Sequence, residues 1–195
     1  MLSSYSVFLP SYSVGTDCYR EIPYVTRKYG TKAVVIGGKT AMQKAKPELE
    51  TAIRGSKVEI VDYIWYGGDS NYENIEKLKA NETVQNADML FGVGGGRACD
   101  TVKTLADMLD KPFFTFPTLA SNCAACTAIT VIYNADGSFK EYYYMHGPAY
   151  HTFVNTKIIA DSPEKLLWAG IGDALSKECE VLFASRDKFI YHTPL

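Results

Sequence analysis

Three consecutive glycines are the first candidates for chemistry, because they end an apolar run and open a segment with helical spacing. The pattern predicts that Gly94, Gly95 and Gly96 leave backbone N–H groups bare at a helix N-terminus, where an anion such as a pyrophosphate is stabilised. The dinucleotide motif G-x-G-x-x-G is not matched, since residue 97 is arginine rather than glycine. A tight strand-to-helix turn without a ligand is the alternative, and the glycines alone support the two interpretations equally.

Two charged residues lie one turn apart at the start of the predicted helix, Asp100 and Lys103. Asp100 could accept a hydrogen bond from a ribose or a nicotinamide group, and Lys103 could attract a phosphate. For Lys103 the spacing favours a plainer interpretation, an exposed ion pair with Asp100.

Hydroxyl side chains follow a later predicted strand, in the segment Pro-Thr-Leu-Ala-Ser at residues 117–121. Ligands of an open parallel sheet bind beyond the carboxyl ends of its strands, so Thr118 and Ser121 would lie where a cofactor passes. Helix capping by both hydroxyls is the alternative.

A carboxylate, Asp173, stands among glycines and apolar residues in the segment 169–175. Because an unpaired buried carboxylate is costly, this residue needs a partner. A metal ion would be one, and a helix N-cap after a kink at Gly172 would be another. Composition favours the cap.

A lone C-x-x-C joins Cys123 and Cys126. A zinc site needs a second pair or suitably spaced histidines, which His146, His151 and His192 do not supply. A redox pair is possible, but the setting is unlike that of thioredoxin. We therefore favour two small packing residues in a loop.

Alternating strands and helices position these candidates between residues 33 and 116. Short apolar runs end at glycine or proline, and each of the first three is followed by apolar residues at helical spacing. Strands are predicted at residues 33–36, 57–65, 87–93 and 113–116. Helices are predicted at 40–53, from an N-cap at Ser70 or Asn71 through 78, and at 98–109. This alternation predicts an α/β fold with a Rossmann-like parallel sheet and crossover helices.

The pattern changes after residue 117. Asp136-Gly137 between two β-rich runs, 129–133 and 139–145, predicts a β-hairpin. Residues 152–159 are predicted as one more strand. Ser162 as N-cap, with Pro163 at the first helical position, predicts a helix over residues 164–183.

Composition narrows the class of protein. Hydrophobic residues make up 47% of the chain, charged residues 22%, and the net charge is −2, as in soluble globular proteins. No basic excess or stripe points to a nucleic-acid partner, and no apolar run reaches the roughly 18 residues that would span a membrane. Residues 1–14 lack a basic start and contain Pro10, unlike a signal peptide. We therefore expect a cytoplasmic protein whose five cysteines are reduced.

Four segments in order resemble the iron-containing alcohol dehydrogenase superfamily, on its glycerol dehydrogenase branch. They are residues 92–103 (GVGGGRACDTVK), 117–121 (PTLAS), 131–133 (VIY) and 169–175 (AGIGDAL). The resemblance runs from about residue 33 to residue 183. It implies a dinucleotide-binding domain, here residues 1–161, followed by an all-helical domain, of which residues 162–195 would be the truncated start.

The resemblance also implies chemistry and site residues. The family transfers a hydride between an alcohol and NAD or NADP, with one divalent metal, zinc or iron, polarising the alcohol oxygen. It implies that residues 96–100 hold the pyrophosphate and the nicotinamide end, and that Asp173 is a metal ligand rather than a cap. The full set of predicted cofactor-binding residues is Gly38, Gly94, Gly95, Gly96, Arg97, Asp100, Thr118, Ser121, Thr127, Ile129 and Tyr133.

Three departures from the family pattern modify these expectations. Cys123 stands where glycerol dehydrogenases carry an aspartate that contacts the polyol, so Cys123 becomes the predicted substrate contact and the segment resembles a sub-branch that reduces 2-oxo acids. Gly38, followed by Lys39, stands where NAD-specific members carry an acidic residue, so NADP becomes plausible beside NAD. The other metal ligands of the family are histidines beyond residue 195, and none of the three histidines here matches them.

The sequence therefore predicts an NAD(P)-dependent, metal-dependent oxidoreductase for a small polyol or hydroxycarboxylate, homo-oligomeric when complete and inactive or poorly active as this chain. Catalytic residues are not assigned. The segment after Glu164 is expected to expose apolar residues and to associate. One alternative is an inactive nucleotide-binding fragment, or half of a split enzyme completed by a partner chain. A related non-redox branch that eliminates phosphate from sugar-derived substrates ranks last.

Overall fold

The chain folds around a parallel sheet in the computed structural model, which describes residues 10–185. The strands are β1 (Ser11–Gly15), β2 (Lys32–Gly37), β3 (Glu59–Trp65), β4 (Met89–Gly94), β5 (Phe113–Pro117), β6 (Ile129–Tyr133), β7 (Phe139–Tyr144) and β8 (His151–Asn155). Six of them form the sheet in the order β1-β8-β5-β4-β2-β3, and β6 and β7 form a separate antiparallel hairpin.

Helices cover both faces of the sheet. They are α1 (Ile22–Thr26), α2 (Lys39–Ile53), α3 (Tyr72–Lys79), α4 (Glu82–Asn86), α5 (Gly96–Met108), α6 (Thr156–Ala160) and α7 (Glu164–Ser185), with short 3-10 turns at Cys18–Glu21 and Ala124–Cys126. One apolar core lies under α2 and the first 3-10 turn, and the other lies under α3, α4, α5 and the hairpin. The predicted α/β fold with crossover helices and a hairpin is confirmed. No helix within residues 10–185 is long and apolar enough to cross a membrane.

The central strands explain why the apolar runs were readable in the sequence. Every residue of β4 is buried, because helices pack on both faces of a parallel sheet. Successive side chains point to opposite faces, so Phe91 joins the core under α2 and Leu90 joins the core under α5. A Cβ added to Gly92 would lie 3.1 Å from Cβ of Val102, so the glycine lets α5 lie close to β4.

The first strand was not predicted. β1 pairs in parallel with β8 from Ser11 opposite His151 to Gly15 opposite Asn155. It is an edge strand whose larger side chains, Tyr12 and Val14, are exposed to 70% and 57%, so its short alternation of serine with apolar residues marks no core face. The buried ring of Tyr19 in the following turn packs edge-on against Phe116 at a centroid distance of 5.3 Å and attaches this segment to the core.

Two other predictions of local structure are wrong. Residues 152–159 are not one strand, because the side chain of Asn155 ends β8 by accepting hydrogen bonds from the N–H groups of Lys157 and Ile158 and so begins α6. Asp173 is not an N-cap after a kink, because α7 runs without interruption through Gly172. Elsewhere the predicted cap of α3 is confirmed at Asn71, whose side chain accepts from the N–H of Asn74 at 2.9 Å.

Candidate functional site

A cleft of about 510 Å³ opens where β2 and β4 end. From β2 the chain adds β3 on one side and then crosses back to add β4 on the other side, so the connections diverge between these two neighbouring strands. In open α/β sheets, ligands bind outside the carboxyl ends of the strands at such a point. The topology therefore makes this cleft the first candidate for a binding site.

The glycine turn between β4 and α5 forms part of the lining. Gly94 has a φ angle of 149°, and a Cβ there would lie 2.8 Å from Cβ of Ala98, so both backbone and space require glycine. Gly95 is the N-cap residue of α5, and no described side chain caps that helix end. The first N–H groups of α5 have no partner within the helix, and they lie at a surface of the cleft.

The segment that follows β5 adds the next part of the lining, Thr118 and Leu119. The N–H of Thr118 donates to the carbonyl of Gly94 at 3.1 Å, which joins the two turns. A Cβ added to Gly95 would lie 2.8 Å from Cδ1 of Leu119. The Leu119 side chain therefore lies directly against the start of α5.

The opposite wall is cationic and aromatic. Gly38 is the N-cap residue of α2, and Lys39 and Lys44 follow it on the same helix. Trp65 and Tyr66, at the end of β3, complete the wall, and Nζ of Lys39 lies 4.6 Å from the ring centre of Trp65. Lys44 and both aromatic residues were not predicted. The available signal was that Trp65 ends a predicted strand, since the strands of a parallel sheet end at the same edge.

Arg97 lies at the mouth of the cleft, about half exposed. Its Nη1 is 3.3 Å from Oδ2 of Asp69, and its guanidinium lies 4.7 Å from the ring centre of Tyr133 in the hairpin. Such an exposed pair contributes little to stability. The contacts do hold the Arg97 guanidinium close to the N-terminus of α5, where it could bind an anion together with the free N–H groups of the helix.

The interpretation of Asp100 and Lys103 as an exposed ion pair is wrong. The side chain of Lys103 is 0% exposed and that of Asp100 is 7% exposed, with Nζ and Oδ1 3.4 Å apart. Asp100 also accepts from the N–H of Val131 at 3.2 Å. Burial lowers the pKa of Lys103 and raises the pKa of Asp100, while their mutual attraction opposes both shifts. Neither residue lines the cleft.

The cleft brings together six of the predicted cofactor-binding residues: Gly38, Gly94, Gly95, Gly96, Arg97 and Thr118. Of the others, Asp100 lies on α5 outside the lining, and the remaining four lie in the segment from Ser121 to the hairpin that adjoins α5. Thr127 is half-buried and bonded to Lys103 at 3.1 Å, and Ile129 and Tyr133 are the first and last residues of β6. Cys123, the predicted substrate contact, is exposed and its thiol is free, as is that of Cys126.

Asp173 lies in the middle of α7 with a partly exposed side chain. Its Oδ1 is 3.3 Å from Nζ of Lys177, one turn further along. Within residues 10–185 no three His, Cys, Asp or Glu side chains are grouped so that they could hold a metal ion. His151 is buried and bonded to Ser13 Oγ at 2.9 Å, and His192 lies outside the described residues. The described residues alone therefore do not form a metal site.

Known proteins share this sequence and this arrangement. The family model for iron-containing alcohol dehydrogenase matches residues 10–154. A glycerol dehydrogenase of Escherichia coli is 31% identical over 90% of this chain and 47% of its own length. Hydroxycarboxylate dehydrogenase A of the same species is 34% identical over 82% of this chain and 43% of its own length.

Solved structures agree with these matches. The crystal structure of glycerol dehydrogenase from Schizosaccharomyces pombe superposes with a TM-score of 0.80 at 26% identity, covering 90% of this chain and 44% of that one. The chain thus spans about half the length of the relatives it matches. The family resemblance inferred from the four sequence segments is confirmed.

Proposed function

Because the chain belongs to the iron-containing alcohol dehydrogenase family, we propose that it supplies the nucleotide-binding domain of an NAD(P)-dependent, metal-dependent oxidoreductase. The substrate would be a small polyol or hydroxycarboxylate. One observation carries the proposal: the cleft at the diverging strands β2 and β4 is lined by the uncapped, glycine-rich N-terminus of α5.

The start of α5 fits a pyrophosphate. Gly95 and Gly96 have no side chains to keep an anion from the backbone, and the N–H groups of the first turn, together with the helix dipole, stabilise negative charge. Arg97 adds a half-exposed cation at the mouth of the cleft, and the buried Thr118 adds a polar side chain to its lining. These groups would bind and orient the cofactor without acting on the reacting atoms.

The wall formed by α2 and β3 fits the adenosine end. Trp65 and Tyr66 offer aromatic surface for the adenine ring. Gly38 supplies no carboxylate for the ribose hydroxyls, whereas Lys39 and Lys44 supply positive charge. An additional phosphate on the ribose would be attracted there, so we propose a preference for NADPH over NADH.

The nicotinamide end would lie toward Ser121, Thr127, Ile129 and Tyr133. When bound, the nicotinamide exchanges a hydride with the substrate carbon. Asp100 is fully engaged with Lys103 and the backbone of β6, so we assign it to the support of this region rather than to cofactor contact.

Two residues of this chain, Cys123 and Asp173, are proposed to lie at the substrate and the metal. We propose that the exposed Cys123 borders the substrate, and that the similarity to hydroxycarboxylate dehydrogenase A favours a 2-oxo acid or its hydroxy acid over glycerol. Asp173 stays a proposed metal ligand on α7, where it would have to exchange its contact with Lys177 for the metal. The described residues do not complete a metal site, so a metal at Asp173 would need ligands from outside them.

Titration of NADPH and NADH into the purified chain tests the cofactor proposal, with nicotinamide emission excited through Trp65 in the cleft. The informative variant is Gly95→Asp. Its φ of −87° and ψ of −170° suit an aspartate N-cap, and its Cβ would displace only the flexible end of Leu119. The fold should therefore persist, while the carboxylate repels pyrophosphate and weakens binding by at least about tenfold.

Gly147→Asp is the matched control, because its Cβ would meet nothing within 4 Å and it lies outside the lining of the cleft. It should bind like the parent. No saturable binding of either nucleotide by the parent at about 1 mM, or equal loss in both variants, would overturn the proposal.

An inactive binding module, or half of a split enzyme, is the second candidate. Apolar side chains exposed on α7 favour it, among them Trp168 at 63% and Leu175 at 72% exposure, as expected for a helix that packs against another chain or segment. Reduction of nicotinamide by the isolated chain with a hydroxycarboxylate would exclude the inactive module, and nucleotide binding without any turnover would favour it.

A further inference from the structure

Lys103 is a fully buried cation that the proposed cofactor chemistry does not use. Its side chain, in the second turn of α5, is 0% exposed. Four oxygen atoms surround Nζ: the carbonyls of Ala124 at 2.7 Å and Ile129 at 2.8 Å, Oγ1 of Thr127 at 3.1 Å, and Oδ1 of Asp100 at 3.4 Å. An ammonium group can donate three hydrogen bonds, so this group is satisfied only where these oxygens converge.

Three of these four partners belong to one short loop, residues 124–129. A buried cation that loses its partners destabilises the folded state strongly, so Lys103 restrains the loop at both ends, Ala124 and Ile129. Thr115 on β5 adds a second restraint at the middle, where its hydroxyl donates to the carbonyl of Ala125 at 2.9 Å. The loop is therefore fixed from α5 and from the sheet.

The restrained loop continues into the wall of the cleft. The N–H of Ala124 donates to Oδ1 of Asn122 at 3.1 Å, and a Cβ on Gly96 would lie 2.8 Å from Nδ2 of Asn122. The Asn122 side chain therefore lies directly against the N-terminal turn of α5. Lys103 donates a hydrogen bond to the Ala124 carbonyl, and the Ala124 N–H donates one to Asn122. These two hydrogen bonds through Ala124 connect the buried cation to the proposed pyrophosphate site.

The same segment also seats α7. A Cβ on Gly170 would overlap the carbonyl oxygen of Ala120, so α7 contacts residue 120, just before Asn122, at its own glycine. Asp173 follows three residues later on that helix. A displacement of the segment 119–124 would therefore move both the cleft wall and the helix that carries the proposed metal ligand.

We propose that Lys103 is a positioning residue: it holds residues 119–129 against α5, so that Leu119 and Asn122 shape the cleft over the α5 N-terminus and Ala120 seats α7. The effect on nucleotide binding rests on the function proposed above. The effect on loop position does not, and it can be measured separately.

Amide deuterium labelling measures the release of the loop, because the N–H groups of Ala124 and Cys126 are hydrogen-bonded within it at 3.1 and 2.9 Å. The N–H of Asp88, which donates to the carbonyl of Lys32 at 2.9 Å, lies outside the loop and α7 and is the internal reference. The variant is Lys103→Met, which keeps the length of the side chain and removes the cation. With peptide mass spectrometry, we expect the labelling rate of the loop relative to that of the reference to rise about tenfold, as local opening of a released loop allows.

Thr104→Val is the matched control. Thr104 follows Lys103 on α5, and its hydroxyl forms a buried hydrogen bond of 2.7 Å with the hydroxyl of Thr130. The variant removes that bond, which connects α5 to β6 rather than to the loop. Its labelling ratios should equal those of the parent even if its melting temperature falls. Thr127→Val removes one loop partner of Lys103 from a half-buried site, so it should fold and raise the ratios about threefold, even if Lys103→Met does not fold.

The affinity for NADPH completes the test. We expect Kd to rise about tenfold in Lys103→Met and to stay unchanged in Thr104→Val. If Lys103→Met does not fold, the Kd of ADP-ribose, which has the pyrophosphate but lacks the nicotinamide that Thr127 would face, should rise severalfold in Thr127→Val. Labelling ratios equal to those of the control would overturn the positioning role. Raised ratios with unchanged Kd would overturn its link to the cleft. If the parent itself binds no nucleotide, the proposed function fails, while the labelling ratios still decide whether Lys103 holds the loop.

Discussion

Replacement of Gly38 by aspartate should reverse the proposed preference for NADPH. Gly38 has a φ of −71° and a ψ of 142°, which any residue adopts. A Cβ there would make ordinary contacts, 3.7 Å from Cβ of Ala41 and 3.9 Å from the ring of Tyr66. As an N-cap of α2, aspartate differs from glycine by only a few tenths of a kcal/mol in stability. The variant should therefore fold like the parent.

The expected change in binding has two parts. A carboxylate about 5 Å from a ribose phosphate, at an effective dielectric constant of about 40, raises the free energy of the NADPH complex by about 2 kcal/mol per phosphate charge. Because Lys39 partly neutralises the added carboxylate, we expect the NADPH complex to lose about 2 kcal/mol in all, which raises the Kd of NADPH roughly thirtyfold. A charge-assisted hydrogen bond to the ribose hydroxyls of NADH adds about 1.5 kcal/mol, or roughly tenfold, in the other direction.

Parallel titrations of NADPH and NADH give the ratio of the two dissociation constants, which should change by roughly 300-fold between the parent and Gly38→Asp. Gly147→Asp adds the same charge away from the cleft and should leave the ratio unchanged. A parent that prefers NADH, or a ratio that changes by less than about threefold in Gly38→Asp, would refute the assignment of the wall at Lys39 to the ribose phosphate.

Two further predictions concern packing and pH. Gly170→Ala should lower the free energy of unfolding by about 2 kcal/mol, because its Cβ would overlap the carbonyl of Ala120. Gly172→Ala on the same helix meets nothing and should raise it by about 0.5–1 kcal/mol; equal effects in urea denaturation would disprove the seat of α7. Burial lowers the pKa of His151, so the folded state binds this proton less readily than the unfolded state. Stability should therefore fall as pH drops below the unfolded value of about 6.5 and through the folded pKa, and this fall should be smaller in His151→Gln; identical pH profiles would contradict the assignment.

Much of the fold could be predicted because its signals are local. β4 and all of β2 after Lys32 are apolar, since both faces of a central parallel strand are buried. Glycine at the end of β4 and the Asp136-Gly137 pair in the hairpin mark turns by their own backbone preferences. The order of four short segments was also enough to identify the family.

Other features depend on contacts between distant parts of the chain. No residue of β1 is buried, and its strand conformation comes from pairing with β8, so the short alternation around Tyr12 marks no core face. The aromatic wall at Trp65 joins the site only because β3 lies beside β2 in the sheet. Neither neighbourhood is encoded in local spacing.

Lys103 shows the difference most clearly. Spacing with Asp100 along a helix determined that the two could pair, and it suggested an exposed pair because lysine usually lies at the surface. Only the tertiary structure decided that the pair is buried, because the loop from Ala124 to Ile129 crosses α5 and presents its carbonyls to the ammonium group. The sequence determined which groups exist and their local conformation, while the surroundings that set their charge, burial and role came from segments more than twenty residues away.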